Sequence, residues 1–225
     1  MPAWLERAAP SELGVFLGTV ASPRKSGLFM RHLCRCFPQV FTDPRSLAGL
    51  DAADRYEAGE IDNGALNAAL VDASIAANEA QDAWSVRRDD VQAAATARAT
   101  DLVRQILRNG HYRSALADLR FAVLCRAGGR NPPRKNPIAP VMRPLFFEFF
   151  GDIERTVALD PAWLTSTVVQ LAEGIYADRA FDRLPILADA LQDAGCENPE
   201  ILAHCRGPSP HARGCWVVDL LLGKS

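Results

Sequence analysis

The stretch DNGALNAALVDASIAANEAQDAWSVRRDDVQAAATARATDLVRQILRNG, residues 62–110, decides the fold class. Leu66, Leu70 and Ile75, then Val91, Ala95, Leu102 and Ile106, recur at helical rather than alternating spacing. Alanine is the commonest of the remaining residues; it has the highest helix propensity, and its short side chain lets helices approach closely. The stretch reads as two long helices broken around Trp84 to Asp89.

Outward from it, the same start signal recurs: a short polar residue followed by proline, which pairs an N-cap with a first-turn residue already fixed at a helical φ. Ser22-Pro23 opens GLFMRHLCRCF, with Leu28, Phe29, Leu33, Cys36 and Phe37 on one face, and Pro38 stops it. Asp43-Pro44 leads to Leu47, Leu50, Ala53 and Tyr56. Asp160-Pro161 leads to Leu164, Val168, Leu171 and Ile175. Asp182 precedes Leu184, Leu187 and Leu191, Asn198-Pro199 opens EILAHCR, and Ser209-Pro210 opens a terminal segment, HARGCWVVDLLLGKS, read as helix from its Ser209 cap. Tyr112 to Arg126 supplies one more helix. Strand signals are scarce. The expected fold is all-α, a multi-helix orthogonal bundle or α-solenoid-like array of about ten helices.

One stretch has a different texture. Residues 128–144, GGRNPPRKNPIAPVMRP, hold five prolines together with Arg130, Arg134, Lys135 and Arg143. Proline at this density prevents helix or strand over most of the stretch, so it reads as a linker or a basic functional loop. Pro144 then starts LFFEFFGDIERTV, whose four phenylalanines are too many for one face and imply burial from more than one side. The expected organisation is an N-terminal helical lobe, 1–127, the basic Pro-rich loop, 128–144, and a C-terminal helical lobe, 145–225.

Composition narrows the function classes. Lys and Arg number 25 against 27 Asp and Glu, a net charge of -2, so the chain as a whole has no attraction for phosphate backbones or anionic lipid. No apolar run reaches the length of a membrane span, and Glu6 and Glu12 stand where an export signal would be apolar, which leads to the expectation of a cytoplasmic protein away from membranes. Six cysteines in that setting read as reduced thiols; Cys34 and Cys36, one residue apart, read as one buried and one lining position of a helix.

The segment from Asp160 to Lys224, with FDRLPILADALQDAGC and HCRGPSPHARGCWVVDLLLGK, resembles the C-terminal signature of a family of uncharacterised proteins encoded in many copies in planctomycete genomes. Phe16 to Ile61, in which a basic, cysteine-containing helix precedes an acidic one, is similar to that family's opening segment. The resemblance implies a bacterial origin and carries no activity, cofactor or catalytic residue with it. Against that pattern, His111 to Val157 reads as an insertion.

The densest set of reactive side chains is Cys196, His204, Cys205, His211 and Cys215. Thiolate and imidazole are the preferred ligands of zinc, and Cys196, His204, His211 and Cys215 form a candidate set at C-x7-H-x6-H-x3-C, a spacing that matches no familiar finger. The same residues also read as buried thiols with hydrogen-bonded or capping histidines. Asp178, Asp182, Asp189 and Asp193 read as helix-start and solvent-face residues. Asp219, inside WVVDLLL, needs a partner, for which Arg206 and Arg213 are the candidates. Trp163 and Trp216 read as core, with Trp216 also a candidate anchor for a partner.

No phosphate-binding Gly-rich loop, HExxH, GxSxG or kinase signature is present, which disfavours an enzyme. The leading expectation is a non-enzymatic helical interaction or adaptor protein, or an accessory subunit of a larger complex. Its contacts would run through Arg130, Arg134, Lys135, Arg143, Arg206, Arg213 and Trp216. One alternative is a nucleic-acid-associated subunit that uses Arg24, Lys25, Arg31, Arg35 and the 130–143 loop as a local basic surface. The other is a zinc-binding domain or metal-dependent enzyme. Another protein is the expected partner, no cofactor other than zinc is in view, and the oligomeric state stays open.

Overall fold

The computed structural model describes residues 10–108, 112–127, 136–155, 157–208 and 211–224. Arg130, Arg134, Lys135, His111, Ser209 and Pro210 lie outside the described residues. Among those described, the chain is all-α, with eleven α-helices, three single 3-10 turns and no strand. They are α1 (Pro10–Thr19), α2 (Pro23–Arg35), α3 (Pro44–Glu57), α4 (Asn63–Val86), α5 (Val91–Leu107), α6 (Tyr112–Arg126), α7 (Ala139–Phe150), α8 (Ser166–Asp178), α9 (Leu184–Asp193), α10 (Pro199–Arg206) and α11 (Trp216–Leu221). No helix among the described residues is long and apolar enough to cross a membrane. The chain divides between Met142 and Arg143, within α7, into two compact units.

In the N-terminal unit the caps do what the sequence asks of them. The Ser22 hydroxyl accepts from Lys25 N, Asp43 from Arg45 N, Asp62 from Ala65 N, and Asp90 from both Gln92 N and Ala93 N, so each helix start has orphan donors satisfied. Helix α4 packs on α3 and α5, α5 on α6, and α6 on α1. Of the apolar positions read on α4, Leu66 and Leu70 are half-buried and Ile75 lies off the packed face. Ala73, Ala76 and Ala77 are buried while Ile75 is 44% exposed, because the close approach of α4 to its neighbours admits methyl groups and excludes branched chains. Tyr56, expected on the inner face of α3, is likewise exposed, and of the cysteine pair Cys34 is buried and Cys36 exposed.

The C-terminal unit is built on Val168, Ile175, Leu184, Leu187, Leu191, Ile201, Val217, Val218 and Leu221. Helix α9 packs against α8 and α10, and α11 against α8 and α10. Three helix starts differ from expectation. Asp160-Pro161 caps only a 3-10 turn, Pro161–Trp163, after which Thr165 caps α8 afresh. Asp182 lies in a second 3-10 turn and α9 begins at Leu184. Helix α7 begins at Ala139 rather than Pro144, since the turn at Ile138, whose carbonyl accepts from Met142 N at 2.8 Å, already sets the helical path; Pro144 then removes one internal donor. The terminal helix is also shorter than expected. Gly214, at φ +104, holds a left-handed conformation that confines α11 to six residues.

Candidate metal centre

Glu148 is the single charged side chain in LFFEFF and sits in the last turn of α7, wholly buried. A carboxylate in such surroundings needs partners. The unit brings it three, from two separate places. His204 comes from the last turn of α10, a helix started by Asn198, whose side chain accepts from Glu200 N and Ile201 N. His211 and Cys215 flank a turn closed by the Cys215 N to Ala212 O hydrogen bond at 2.9 Å and permitted by Gly214. Within this turn the Ala212 N–H donates to Glu148 Oε1 at 3.2 Å, which orients the carboxylate.

The other carboxylate oxygen is the meeting point. Glu148 Oε2 lies 2.9 Å from His211 Nδ1 and 3.2 Å from His204 Nε2, and the same His204 Nε2 lies 3.2 Å from Cys215 Sγ. One donor atom from each of the four residues falls within 4.8 Å of the others. The side chains of His204 and His211 are 2% and 8% exposed, so the cluster is largely withdrawn from bulk water. The rings are held from outside: His204 stands edge-on to Phe147 and 5.3 Å from the Trp216 ring. A Cβ on Gly151, at φ +64, would lie 3.2–3.4 Å from that Trp216 ring, so glycine there also lets the indole seat.

Proton counting makes the arrangement unusual. A neutral imidazole has one N–H and one lone pair. His211 Nε2 faces the Gly207 carbonyl at 3.3 Å, where only an N–H is favourable, and this leaves Nδ1 presenting a lone pair to a carboxylate oxygen. His204 Nε2 faces a carboxylate oxygen and a thiol sulfur at once, and one ring position forms a hydrogen bond with only one of them. Either protons are added or a cation stands among the four atoms. Without a cation, His211 is raised above its ordinary value by the Glu148 carboxylate against the opposing effect of burial. Glu148 is lowered by its hydrogen bonds to His204 and His211, although burial opposes this. Burial, reinforced by the negative charge of Glu148, pushes the Cys215 thiol well above its ordinary value.

Three of the separations approach the edges of a tetrahedral site, within a set that spans up to 4.8 Å. Zinc–nitrogen and zinc–oxygen bonds of about 2.05 Å and a zinc–sulfur bond of about 2.3 Å give edges of about 3.3 Å between nitrogen and oxygen and about 3.6 Å between nitrogen and sulfur. The separations of 2.9, 3.2 and 3.2 Å are shorter than these, so an ion at the centre would spread the donors slightly. The contact from His211 to the Gly207 carbonyl is of the kind that fixes the tautomer of a metal-ligating histidine. A nucleophilic-cysteine triad is a poorer description. In such a triad the carboxylate orients the ring through the nitrogen remote from the thiol, whereas here both approach Nε2, and Cys215 is buried with a raised thiol value.

Three of the four candidate ligands read from the sequence therefore meet, and the fourth corner is Glu148, not Cys196. Cys196 packs in the apolar core, and Cys205, raised to about 12 chiefly by burial, lines an open pocket of about 370 Å³ with Phe181, Pro185, Pro208 and His211. Arg206 is engaged by Asp189 and Gln192 rather than by the buried Asp219, and the Arg213 guanidinium stacks 4.7 Å over the Tyr176 ring. Trp216 is a core residue packed on His204. Arg143 is half-buried in α7.

The basic residues of α2 face acids of α3. Arg24 pairs with Glu57, Arg31 with Asp54 and Glu57, and Arg35 with Asp51 and Asp54, so their charge is taken up inside the fold. Neither a family model, nor a curated protein, nor a solved structure matches the chain, and the resemblance at residues 16–61 and 160–224 gains no support from these comparisons.

Proposed function

We propose that the C-terminal unit is a zinc-binding domain, with Glu148, His204, His211 and Cys215 as the four ligands. The observation that carries this reading is the convergence of a carboxylate oxygen and a thiol sulfur, each at 3.2 Å, on the one nitrogen His204 Nε2. Hydrogen bonding satisfies one of these contacts, and a cation at their centre satisfies both. A set of one thiolate, two imidazoles and one carboxylate suits zinc rather than magnesium or calcium, which prefer all-oxygen shells. Four protein donors leave no open position, which favours an ion that organises the fold over one that activates water.

The test is metal analysis of full-length protein with cobalt replacement. One zinc per chain is expected, and the cobalt form should show tetrahedral visible bands and a sulfur-to-cobalt charge-transfer band that Cys215→Ser removes. Protein purified with zinc available that holds no zinc, and takes up no cobalt, would sink the reading. The interaction-protein reading is compatible with a structural ion. Its support lies in the N-terminal unit, where Val71 and Ile75, 56% and 44% exposed, stand one turn apart on α4.

A further inference from the structure

The four ligands do not come from one local motif, and how they are divided along the chain matters. Glu148 belongs to α7 and His204 to α10, whereas His211 and Cys215 lie in the last described stretch, which runs on into α11. An ion held by all four therefore cross-links this stretch to two helices that precede it. Resting on the zinc reading, we infer that metal binding is what docks the terminal segment, His211 to Leu222, onto the C-terminal unit, so that zinc occupancy governs whether that segment is seated or released.

The segment has little local structure to hold it. Helix α11 is six residues long, its N-cap residue Cys215 makes no side-chain capping bond, and the turn before it depends on Gly214 in a left-handed conformation. A helix this short does not persist without tertiary support. Its burial is nonetheless deep: Val217, Val218 and Leu221 are core residues, and Trp216 is wedged against Gly151 and His204. Its polar ties to the rest of the unit include the Ala212 N–H to Glu148, the Arg213 guanidinium on Tyr176, and Lys224 Nζ 4.7 Å from the same ring. The first of these runs to a ligand, so it shares the position of the carboxylate that the ion would hold.

Seating the segment without metal keeps a carboxylate and two imidazoles out of water with one acceptor contact too many. Releasing it rehydrates Glu148, His211 and Cys215. Metal shifts the balance toward the seated state, because the seated segment alone presents all four donors together. Release uncovers the apolar side chains of α11 and the core they cover, and so changes what surface the protein offers.

The test is amide hydrogen exchange of the full-length protein across a series of buffered free-zinc concentrations. If docking and binding are one event, opening of the segment is suppressed by the factor 1 + [Zn]/Kd. Above Kd, a tenfold rise in free zinc should then slow exchange about tenfold at the Asp219 and Leu222 amides, which bond to the Cys215 and Val218 carbonyls. The Val169 amide of α8 and the Ala194 amide after α9 should stay flat. Stoichiometric cobalt binding with no zinc dependence at Asp219 and Leu222 overturns the docking inference and leaves the metal site standing. An equal response at Val169 and Ala194 also overturns it, because the ion then holds the whole unit. Absence of cobalt and zinc binding overturns the site reading itself.

Discussion

The two units solve the same problem, a carboxylate partly or wholly withdrawn from water, by different means. In the N-terminal unit Asp54 and Glu57 are answered by arginines: Arg31 reaches both, at 2.6 and 2.5 Å, Arg24 adds to Glu57 and Arg35 to Asp54. Arginine stays charged at any physiological pH, so that network is complete as it stands. In the C-terminal unit Glu148 is more deeply buried, yet its partners are two imidazoles, with a thiol beyond. Each of those can lose its charge or proton. The first network is fixed by the chain alone; the second is completed only by protons or by an ion from outside.

Metal removal is the strongest way to break this contrast. At free zinc about 1,000 times Kd, bound metal adds about 4 kcal/mol to the stability of whatever must unfold to release it. Chelation should lower the urea midpoint for opening of the segment from His211 to Leu222 accordingly, measured by amide exchange at Asp219 and Leu222 under increasing urea. The N-terminal helices α3 to α6 should not respond. Equal loss in both units would erase the distinction.

Single substitutions sharpen it. Glu148→Gln keeps the shape of the side chain but removes a ligand, so in zinc it should cost at least about 3 kcal/mol, the scale for breaking a buried charged pair. In chelator it should cost clearly less, because the amide can still bond to a neutral histidine. Arg31→Ala leaves Asp54 and Glu57 with Arg35 and Arg24 and should cost about 2 kcal/mol, the same with zinc or without. Urea unfolding of both variants under both conditions reads the four values, and a zinc-dependent cost for Arg31→Ala would show that the two networks are not separate.

The pH dependence should differ in sign between the metal-free and zinc-loaded states. Without metal, the lowered Glu148 contributes stability that is present above its ordinary value of 4.5 and lost as pH falls through the lowered one. The raised His211 contributes stability present below its ordinary value of 6.5 and lost as pH rises through the raised one. The metal-free pair is therefore most stabilising between 4.5 and 6.5 and weakens toward alkaline pH. With zinc, protons compete for His211 and Cys215, so stability climbs with pH through the same region. Urea midpoints between about pH 6 and 8 should thus slope downward in chelator and upward in zinc; slopes of one sign in both would leave no role for the ion.

Much of this was legible in the sequence where the deciding interaction is local. Ser22, Asp43 and Asn198 cap the helices their prolines announce, because a cap needs only the next three residues. Asp160-Pro161 gives the same signal but yields one 3-10 turn, since a cap starts a helix and says nothing of its continuation. On α4, Leu66 and Leu70 share a half-buried face with Ala73 and Ala77, while Ile75 lies off it, because the spacing between helices admits alanine where hydrophobicity alone ranks isoleucine higher. His204, His211 and Cys215 are close in sequence and could be grouped. Glu148 lies 63 residues before His211, beyond the reach of any spacing rule, and its one signal was a carboxylate set alone among four phenylalanines.

The smallest expected effect bears on whether burial or proton count separates the two units. Arg35 is 34% exposed and pairs with Asp51, 68% exposed, and with Asp54. Such pairs contribute about 0.5–1 kcal/mol and are screened by salt, so Arg35→Ala should cost about that much in dilute buffer and lose most of it near 1 M salt. Arg31, more deeply buried in the same network, should keep its cost in salt. If Arg35→Ala instead costs as much as Arg31→Ala and resists salt, the arginines of α2 act as one cooperative cluster. The contrast with Glu148 would then rest on the permanence of the arginine charge alone, not on how far each carboxylate is removed from water.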